Sequence, residues 1–275
     1  IDKLFLWSGD SQIFFTIVKS LEDKVNVDND TRIGLVRIIL LVEDSVQYYS
    51  KYLQMIYSIV FGQIQQILPE VEKNEIDKIV KMRSRPKVLL ARNYEDAVYI
   101  FNKYKDYLLC VISDVEFEKE GKPDKSAGIK FINYVKSHIL NLPVVLQSSE
   151  NKNTEIKKKN DVYFINKNSE SLLNDLKNFL TYYLGFGDFI FRNKEGKEIA
   201  VAKSMAEFEK LLETISDESF YLHAIENQFS LWFMSRGEIP LAKALNPLRI
   251  SDFANISQAK QYFIKTIRNY REEKR

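Results

Sequence analysis

Five side chains at the ends of predicted strands hold the reactive groups of this chain. Glu43 and Asp44 close an aliphatic run that begins at Val36, Asp114 follows Val111-Ile112-Ser113, Ser148 ends the stretch from Pro143, and Lys167 follows Phe164-Ile165-Asn166. Carboxylates gathered on one edge repel one another and call for a divalent cation. Hard oxygen ligands with room left for water and phosphate are what magnesium prefers. A lone aspartate is a poor nucleophile towards phosphorus, so the metal must also screen an incoming anion and stabilise a transferring phosphoryl group. Lysine adds a point charge for a phosphoryl oxygen, and serine a short hydroxyl donor.

These groups can meet only if their strands lie side by side. The nearly continuous aliphatic run 36–42 has the pattern of a strand buried on both faces of a parallel sheet. Further short apolar strands are predicted at 87–91, 108–113, 143–146 and 162–165. Helices are predicted at 45–68, 70–83, 94–104, 125–138, 154–159 and 169–184, with Pro69 stopping the first. Five strands alternating with helices argue an α/β fold, a doubly wound five-stranded parallel sheet whose ligands sit beyond the carboxyl ends of the strands. All five reactive side chains fall at such ends.

Around this sheet, residues 1–7 read as a strand and 10–24 as a helix with Ile13, Phe14, Ile17, Val18 and Leu21 on one face, followed by a polar linker at 26–31. Gly185-Phe186-Gly187 marks the best boundary. Beyond it, 188–202 reads as a hairpin around 193–196, and helices are expected at 204–214, 218–235, 238–244 and 257–272. The expected organisation is a strand–helix piece with linker at 1–32, a sheet domain at 33–184 with an insertion at about 69–84, and a small, mainly helical domain at 185–275. The opening on an apolar segment at Ile1, without methionine, suggests a piece of a longer polypeptide.

Composition narrows the function. Forty basic against thirty-eight acidic residues leave a net charge of +2. Nucleic-acid binding is therefore not expected, and the basic stretch 268–275 reads as a solvated helix end. The single cysteine, Cys110, allows no intrachain disulfide and suits the cytoplasm. No apolar stretch approaches the roughly 20 residues of a membrane span. His138 and His223 have no partners at metal spacing. Phe220, Tyr221, Phe229, Trp232 and Phe233 lie at helical spacing, as core residues do. A nucleotide-binding enzyme would want a glycine-rich loop after the first strand, where this chain has Glu43-Asp44-Ser45-Val46. An aspartyl-phosphate phosphatase would carry its two acids two residues apart on that strand, whereas here they are adjacent.

The motifs Ile39-Leu40-Leu41-Val42-Glu43-Asp44-Ser45, Val111-Ile112-Ser113-Asp114, Leu142-Pro143-Val144-Val145-Leu146-Gln147-Ser148-Ser149 and Val162-Tyr163-Phe164-Ile165-Asn166-Lys167 resemble those of the response-regulator receiver family of two-component signalling, which has a flavodoxin-like fold. By that resemblance Asp114 is the phosphoacceptor and a magnesium ligand, with Asp44 the main acidic ligand, Glu43 a metal or water ligand and the backbone carbonyl of Glu116 the last protein ligand. Ser148 matches the switch hydroxyl, Phe164 the aromatic switch and Lys167 the invariant lysine. The resemblance implies magnesium as cofactor and a histidine kinase or phosphorelay donor as partner, with no catalysis beyond the chain's own phosphotransfer.

The pattern also departs from the family. About six extra residues lie between Asp114 and Gly128, among them Glu116, Glu118, Lys119, Glu120 and Lys122, and Asn168 replaces a proline after the lysine. Asp44 and Asp114 are also about 70 residues apart, more than the family usually needs.

The chain as a whole, including Asp2-Lys3-Leu4-Phe5-Leu6-Trp7-Ser8-Gly9-Asp10, Arg83-Ser84-Arg85-Pro86-Lys87-Val88-Leu89-Leu90-Ala91 and Gly185-Phe186-Gly187-Asp188-Phe189, resembles the regulatory region upstream of the phosphoenolpyruvate/pyruvate-binding domain of bacterial phosphoenolpyruvate-synthase-like proteins. That implies that residues 1–24 end a preceding receiver-like domain, and that neighbouring domains of the same protein are partners. The apolar face expected on the first helix calls for packing in cis or on a second copy, as a homodimer. The alternative reading is a receiver-like interaction module that works without phosphorylation.

Overall fold

In a computed structural model of the chain, residues 4–70, 75–149, 162–246 and 248–274 are described. The strands, in chain order, are β1 (Ile38–Val42), β2 (Lys87–Ala91), β3 (Leu108–Asp114), the short β4 (Phe117–Lys119) and β5 (Lys122–Asp124), β6 (Val144–Ser148) and β7 (Tyr163–Asn166). Five of them form one parallel sheet in the order β2-β1-β3-β6-β7, while β4 and β5 pair as a separate antiparallel hairpin. The fold is thus α/β and doubly wound. Every residue of β1 and β3 is buried, as the apolar runs Ile38–Val42 and Leu108–Ile112 require of strands covered on both faces.

Helices α2 (Val46–Ile67), α3 (Glu75–Arg83), α4 (Tyr94–Tyr104) and α5 (Ala127–His138) alternate with the strands. Phe101 of α4 and Phe131 and Val135 of α5 pack in one cluster with Leu40, Val42, Val111 and Leu146 of the sheet. Asn93 starts α4 by accepting a hydrogen bond from the Asp96 amide at 2.7 Å. Cys110 lies in β3 and is fully buried. The helix expected at 154–159 lies outside the described residues.

The N-terminal part differs from the sequence expectation. Residues 4–7 form no strand; instead the Leu6 amide donates to Ser50 Oγ and the Leu4 carbonyl accepts from the Tyr49 hydroxyl. The first helix, α1 (Gln12–Gly34), runs straight through the expected linker at 26–31. Its buried stripe is Ile13, Thr16, Ser20, Asp23, Val27 and Thr31, whereas Phe14, Val18 and Leu21 are exposed.

Charge pairing explains the inversion. Asp23, fully buried, accepts hydrogen bonds from Arg85 at 2.6 and 3.1 Å, from the Val88 amide and from the Tyr57 hydroxyl. Asp30 pairs with Lys87 at 2.7 Å, and Asp28 with Lys103 and Tyr104. Asp28 and Asp30, polar residues of the expected linker, thus join Asp23 in docking the helix.

The chain divides into two compact units, Ile1–Phe61 with Arg83–Lys177, and Gly62–Met82 with Asn178–Arg275. Residues 62–82, which include most of the insertion expected inside the sheet domain, thus group with the second unit. There the Lys81 ammonium donates to the Arg236 carbonyl at 2.6 Å and to Glu238 at 2.9 Å.

The second unit holds the expected hairpin, β8 (Phe189–Arg192) with β9 (Glu198–Ala202), and five further helices from α7 (Met205–Thr214) to α11 (Ile256–Glu273), after α6 (Leu172–Asn178) at the boundary. Phe220, Phe229, Trp232 and Phe233 are core residues, while Tyr221 is partly exposed. The helix expected over 218–235 is broken in two at Asn227, whose φ of 55° is left-handed. His223 is buried as a packing residue, its Nε2 accepting from the Arg192 amide. The basic end is neutralised from within, Arg268 and Arg271 pairing with Glu209 and Lys274 with Glu238. No helix among the described residues is long and apolar enough to cross a membrane.

Candidate phosphoacceptor site

Parallel register brings the reactive strand ends together. Val42 pairs with Ser113, and Ser113 with Leu146, so the residues that follow on β1, β3 and β6 share one edge of the sheet. Glu43 is held there by its amide, which donates to the Ala91 carbonyl, and by its Oε1, which accepts from the Ser45 amide at 3.1 Å. Asp114 is 8% exposed, and its Oδ1 accepts from the Val115 amide at 2.7 Å. The Lys167 amide donates to the Ser148 carbonyl, fixing the end of β7 against β6.

Lys167 is the hinge of the electrostatics. Its ammonium lies 2.6 Å from Asp114 Oδ2 and 2.6 Å from Glu43 Oε2, the second an ion pair without hydrogen-bond alignment. The Tyr48 ring caps the same ammonium at 4.3 Å, a cation–π contact. Burial alone would discharge Lys167, but the two carboxylates outweigh it and raise its pKa. Burial pushes Glu43 up to about 7, with Asp114 adding to the rise and Lys167 opposing it. Asp44 is raised for the same reasons, burial first and Asp114 second.

Glu43, Asp44 and Asp114 each present a carboxylate oxygen, and these oxygens lie within 4.8 Å of one another, a group that could hold a metal ion. Three hard oxygen donors, two of them costly to leave charged together, fit a magnesium-like cation. The cavity beside them measures about 420 Å³ and is lined by Glu116, Ser148 and Lys167 as well as the acids. Ser148 is buried at its wall. Phe164, half-buried and packed against the sheet core, does not line it.

Gly128 sets the depth of the site. Its amide donates to the Val115 carbonyl, and a Cβ at this position would stand 1.9 Å from the Asp114 carbonyl oxygen. Only glycine lets α5 start this close to the end of β3.

The sequence reading did not single out three contributors. Tyr48 sits four residues after Asp44, in the first turn of α2, a spacing that could have flagged it. The enlarged loop is a hairpin, with Phe117 buried in the core and Glu118 and Pro123 on the cavity wall. Lys125, just beyond the hairpin, also lines the cavity. Strands of three mostly charged residues have no alternation to betray them; the only cue is the turn at Glu120-Gly121, where both φ angles are positive.

No protein-family model and no curated protein matches the sequence. Among solved structures, a crystal structure described as a response regulator receiver domain protein from Clostridium thermocellum is similar over 52% of this chain and 89% of its own, at 16% identity and a TM-score of 0.32. The strand order and register, rather than that likeness, establish the doubly wound fold.

Proposed function

We propose that the first unit is a phosphoacceptor module in which Asp114 accepts a phosphoryl group from a phosphohistidine donor, a histidine kinase or phosphorelay protein. The observation that supports this best is the placement of the Asp114 carboxylate at the carboxyl edge of a parallel sheet, 2.6 Å from the Lys167 ammonium and within 4.8 Å of two further carboxylates.

In the transfer, Asp114 Oδ forms a bond to phosphorus as the donor's P–N bond breaks, and the imidazole leaves with the electron pair and takes up a proton. The product is a mixed anhydride on Asp114. Lys167, released from its bridge to Glu43, can follow the phosphoryl oxygen with its charge. Ser148 offers a hydroxyl from the cavity wall. Glu43, Asp44 and Asp114, with the Glu116 carbonyl, would hold magnesium, which supplies the positive charge that screens these acids from an incoming phosphoryl group.

The output is a change of contact with neighbouring domains of the same protein, a charge added locally and read elsewhere. The resemblance in sequence makes a phosphoenolpyruvate/pyruvate-binding domain the proposed target. The test is incubation with magnesium and labelled acetyl phosphate. Wild type should gain acid-stable, base-labile label, whereas Asp114→Asn and metal-free samples should gain none; equal labelling of wild type and Asp114→Asn would defeat the proposal.

A further inference from the structure

The residues around Lys125 are pinned, while its own side chain makes no hydrogen bond or ion pair among the described residues. On the first strand of the hairpin, Phe117 is anchored in the core, the Glu120 amide donates to Glu95, and Lys119 lies over the Tyr94 ring at 4.8 Å. On the return side, Asp124 accepts from the Ser126 amide and hydroxyl, both at 2.8 Å, and pairs with Lys130 at 2.6 Å. Gly128 then seats the helix against Asp114. Lys125 lies between these anchors and borders the same cavity as Asp114, Ser148 and Lys167.

The charge around that cavity is unbalanced. Among the described residues, five carboxylates line it, Glu43, Asp44, Asp114, Glu116 and Glu118, against two lysines. Lys167 is already committed to Glu43 and Asp114. Lys125 makes no hydrogen bond or ion pair among the described residues, although acids share its cavity. A cation that leaves nearby carboxylates unpaired, on a backbone held at both sides, is placed to meet an anion that arrives later.

We infer that Lys125 is a second phosphate-binding cation of this site, carried over the cavity by the β4–β5 insertion to contact an oxygen of the phosphoryl group on Asp114. The inference rests on the phosphoacceptor reading above. It gives the insertion a purpose that a lid of neutral residues would lack: Lys167 serves the oxygen nearest the sheet, and Lys125 serves one facing the hairpin. Because the contact exists only once the phosphoryl group is present, it adds to the stability of the phosphorylated state and not to that of the empty site.

Beryllofluoride, which mimics an aspartyl phosphate, separates the outcomes. Its binding in the presence of magnesium is measured by calorimetry and by the fluorine resonance of the bound species, for wild type, Lys125→Ala, Lys125→Arg, Lys122→Ala and Asp114→Asn. Lys122, exposed on the same hairpin and outside the acceptor cavity, controls for general loss of charge. Lys125→Ala should bind beryllofluoride about fivefold to tenfold more weakly, the scale of one charge-assisted hydrogen bond at an exposed position. Lys125→Arg should restore most of the affinity and Lys122→Ala should leave it unchanged, with magnesium binding alone no weaker in any of the three. Equal affinity of wild type and Lys125→Ala, or equal losses in Lys125→Ala and Lys122→Ala, would overturn the inference while leaving Asp114 as acceptor. Failure of wild type itself to bind, as Asp114→Asn should, would overturn both.

Discussion

Replacing Gly128 with alanine should damage the proposed acceptor site without touching Asp114, Lys167 or the other carboxylates. The added Cβ would lie 1.9 Å from the Asp114 carbonyl oxygen, 2.8 Å from Val115 Cα and 2.9 Å from the Asp114 carbonyl carbon. All three are backbone atoms, so no side chain can rotate away. Bringing the first contact to 3.0 Å requires the start of α5 and the end of β3 to separate by at least about 1.1 Å. Overpacking of this kind costs about 1–3 kcal/mol, with the upper end apt for a rigid partner. Alanine's better helix propensity offsets up to about 1 kcal/mol. A net loss of about 2 kcal/mol should lower the melting temperature by roughly 4–8 °C for a domain of this size.

The functional effect should be larger than the stability effect. A reacting group displaced by about 1 Å can lose on the order of 10²-fold in rate. The assay pairs urea unfolding with the rate of labelling from acetyl phosphate, both at a temperature where the variant stays folded. Gly62→Ala is the control, since a Cβ there meets nothing within 4 Å and the position is helical; it should be neutral or slightly stabilising. Gly128→Ala with wild-type stability and a labelling rate within about threefold of wild type would refute the reasoning.

Two further perturbations test the packing. Asp23→Ala strips the buried Arg85 guanidinium, 2% exposed, of its hydrogen-bonded carboxylate and leaves it Glu22 at 3.5 Å, and should cost the first unit about 3 kcal/mol in urea unfolding, with Asp23→Leu/Arg85→Met recovering much of it; a loss below about 1 kcal/mol would contradict the docking account. In the second unit, burial would raise Glu238, but Lys81 and Lys274 outweigh it and hold its pKa at about 2. Because the folded value lies below the unfolded value of about 4.5, this stabilisation is full above that pH and fades as pH falls towards 2. It is worth at most about 3 kcal/mol, and nearer 2 once the exposure of Lys274 is discounted. Glu238→Gln should flatten that part of the acid-unfolding profile, and an unchanged profile would count against it.

The sheet and the gathering of Glu43, Asp114, Ser148 and Lys167 at one of its edges were legible in the sequence because two local signals agreed. Continuous aliphatic strands mark burial on both faces, and the chemistry changes abruptly at their ends, at Glu43, Asp114, Ser148 and Lys167. The extent of α1 was not legible. Its buried stripe is mostly polar, and Asp23, Asp28 and Asp30 find their partners in Arg85, Lys103 and Lys87, 57 to 75 residues away in sequence. Periodicity counts apolar residues and cannot see such pairs. The grouping of residues 62–82 with the second unit was hidden for the same reason, since Lys81 meets Glu238 far along the chain. The hairpin after Asp114 escaped because charged three-residue strands have no hydrophobic alternation.

The central claim is that Asp114 is the residue that carries the phosphoryl group. Borohydride reduces an aspartyl phosphate to homoserine, which peptide mass spectrometry can place in the sequence. After incubation with magnesium and acetyl phosphate, homoserine should appear at position 114 and nowhere else, and only in samples that held the metal. Homoserine at Asp44 or another aspartate, 5-hydroxynorvaline at Glu43 or another glutamate, or no reduced residue despite label on the protein, would contradict the assignment.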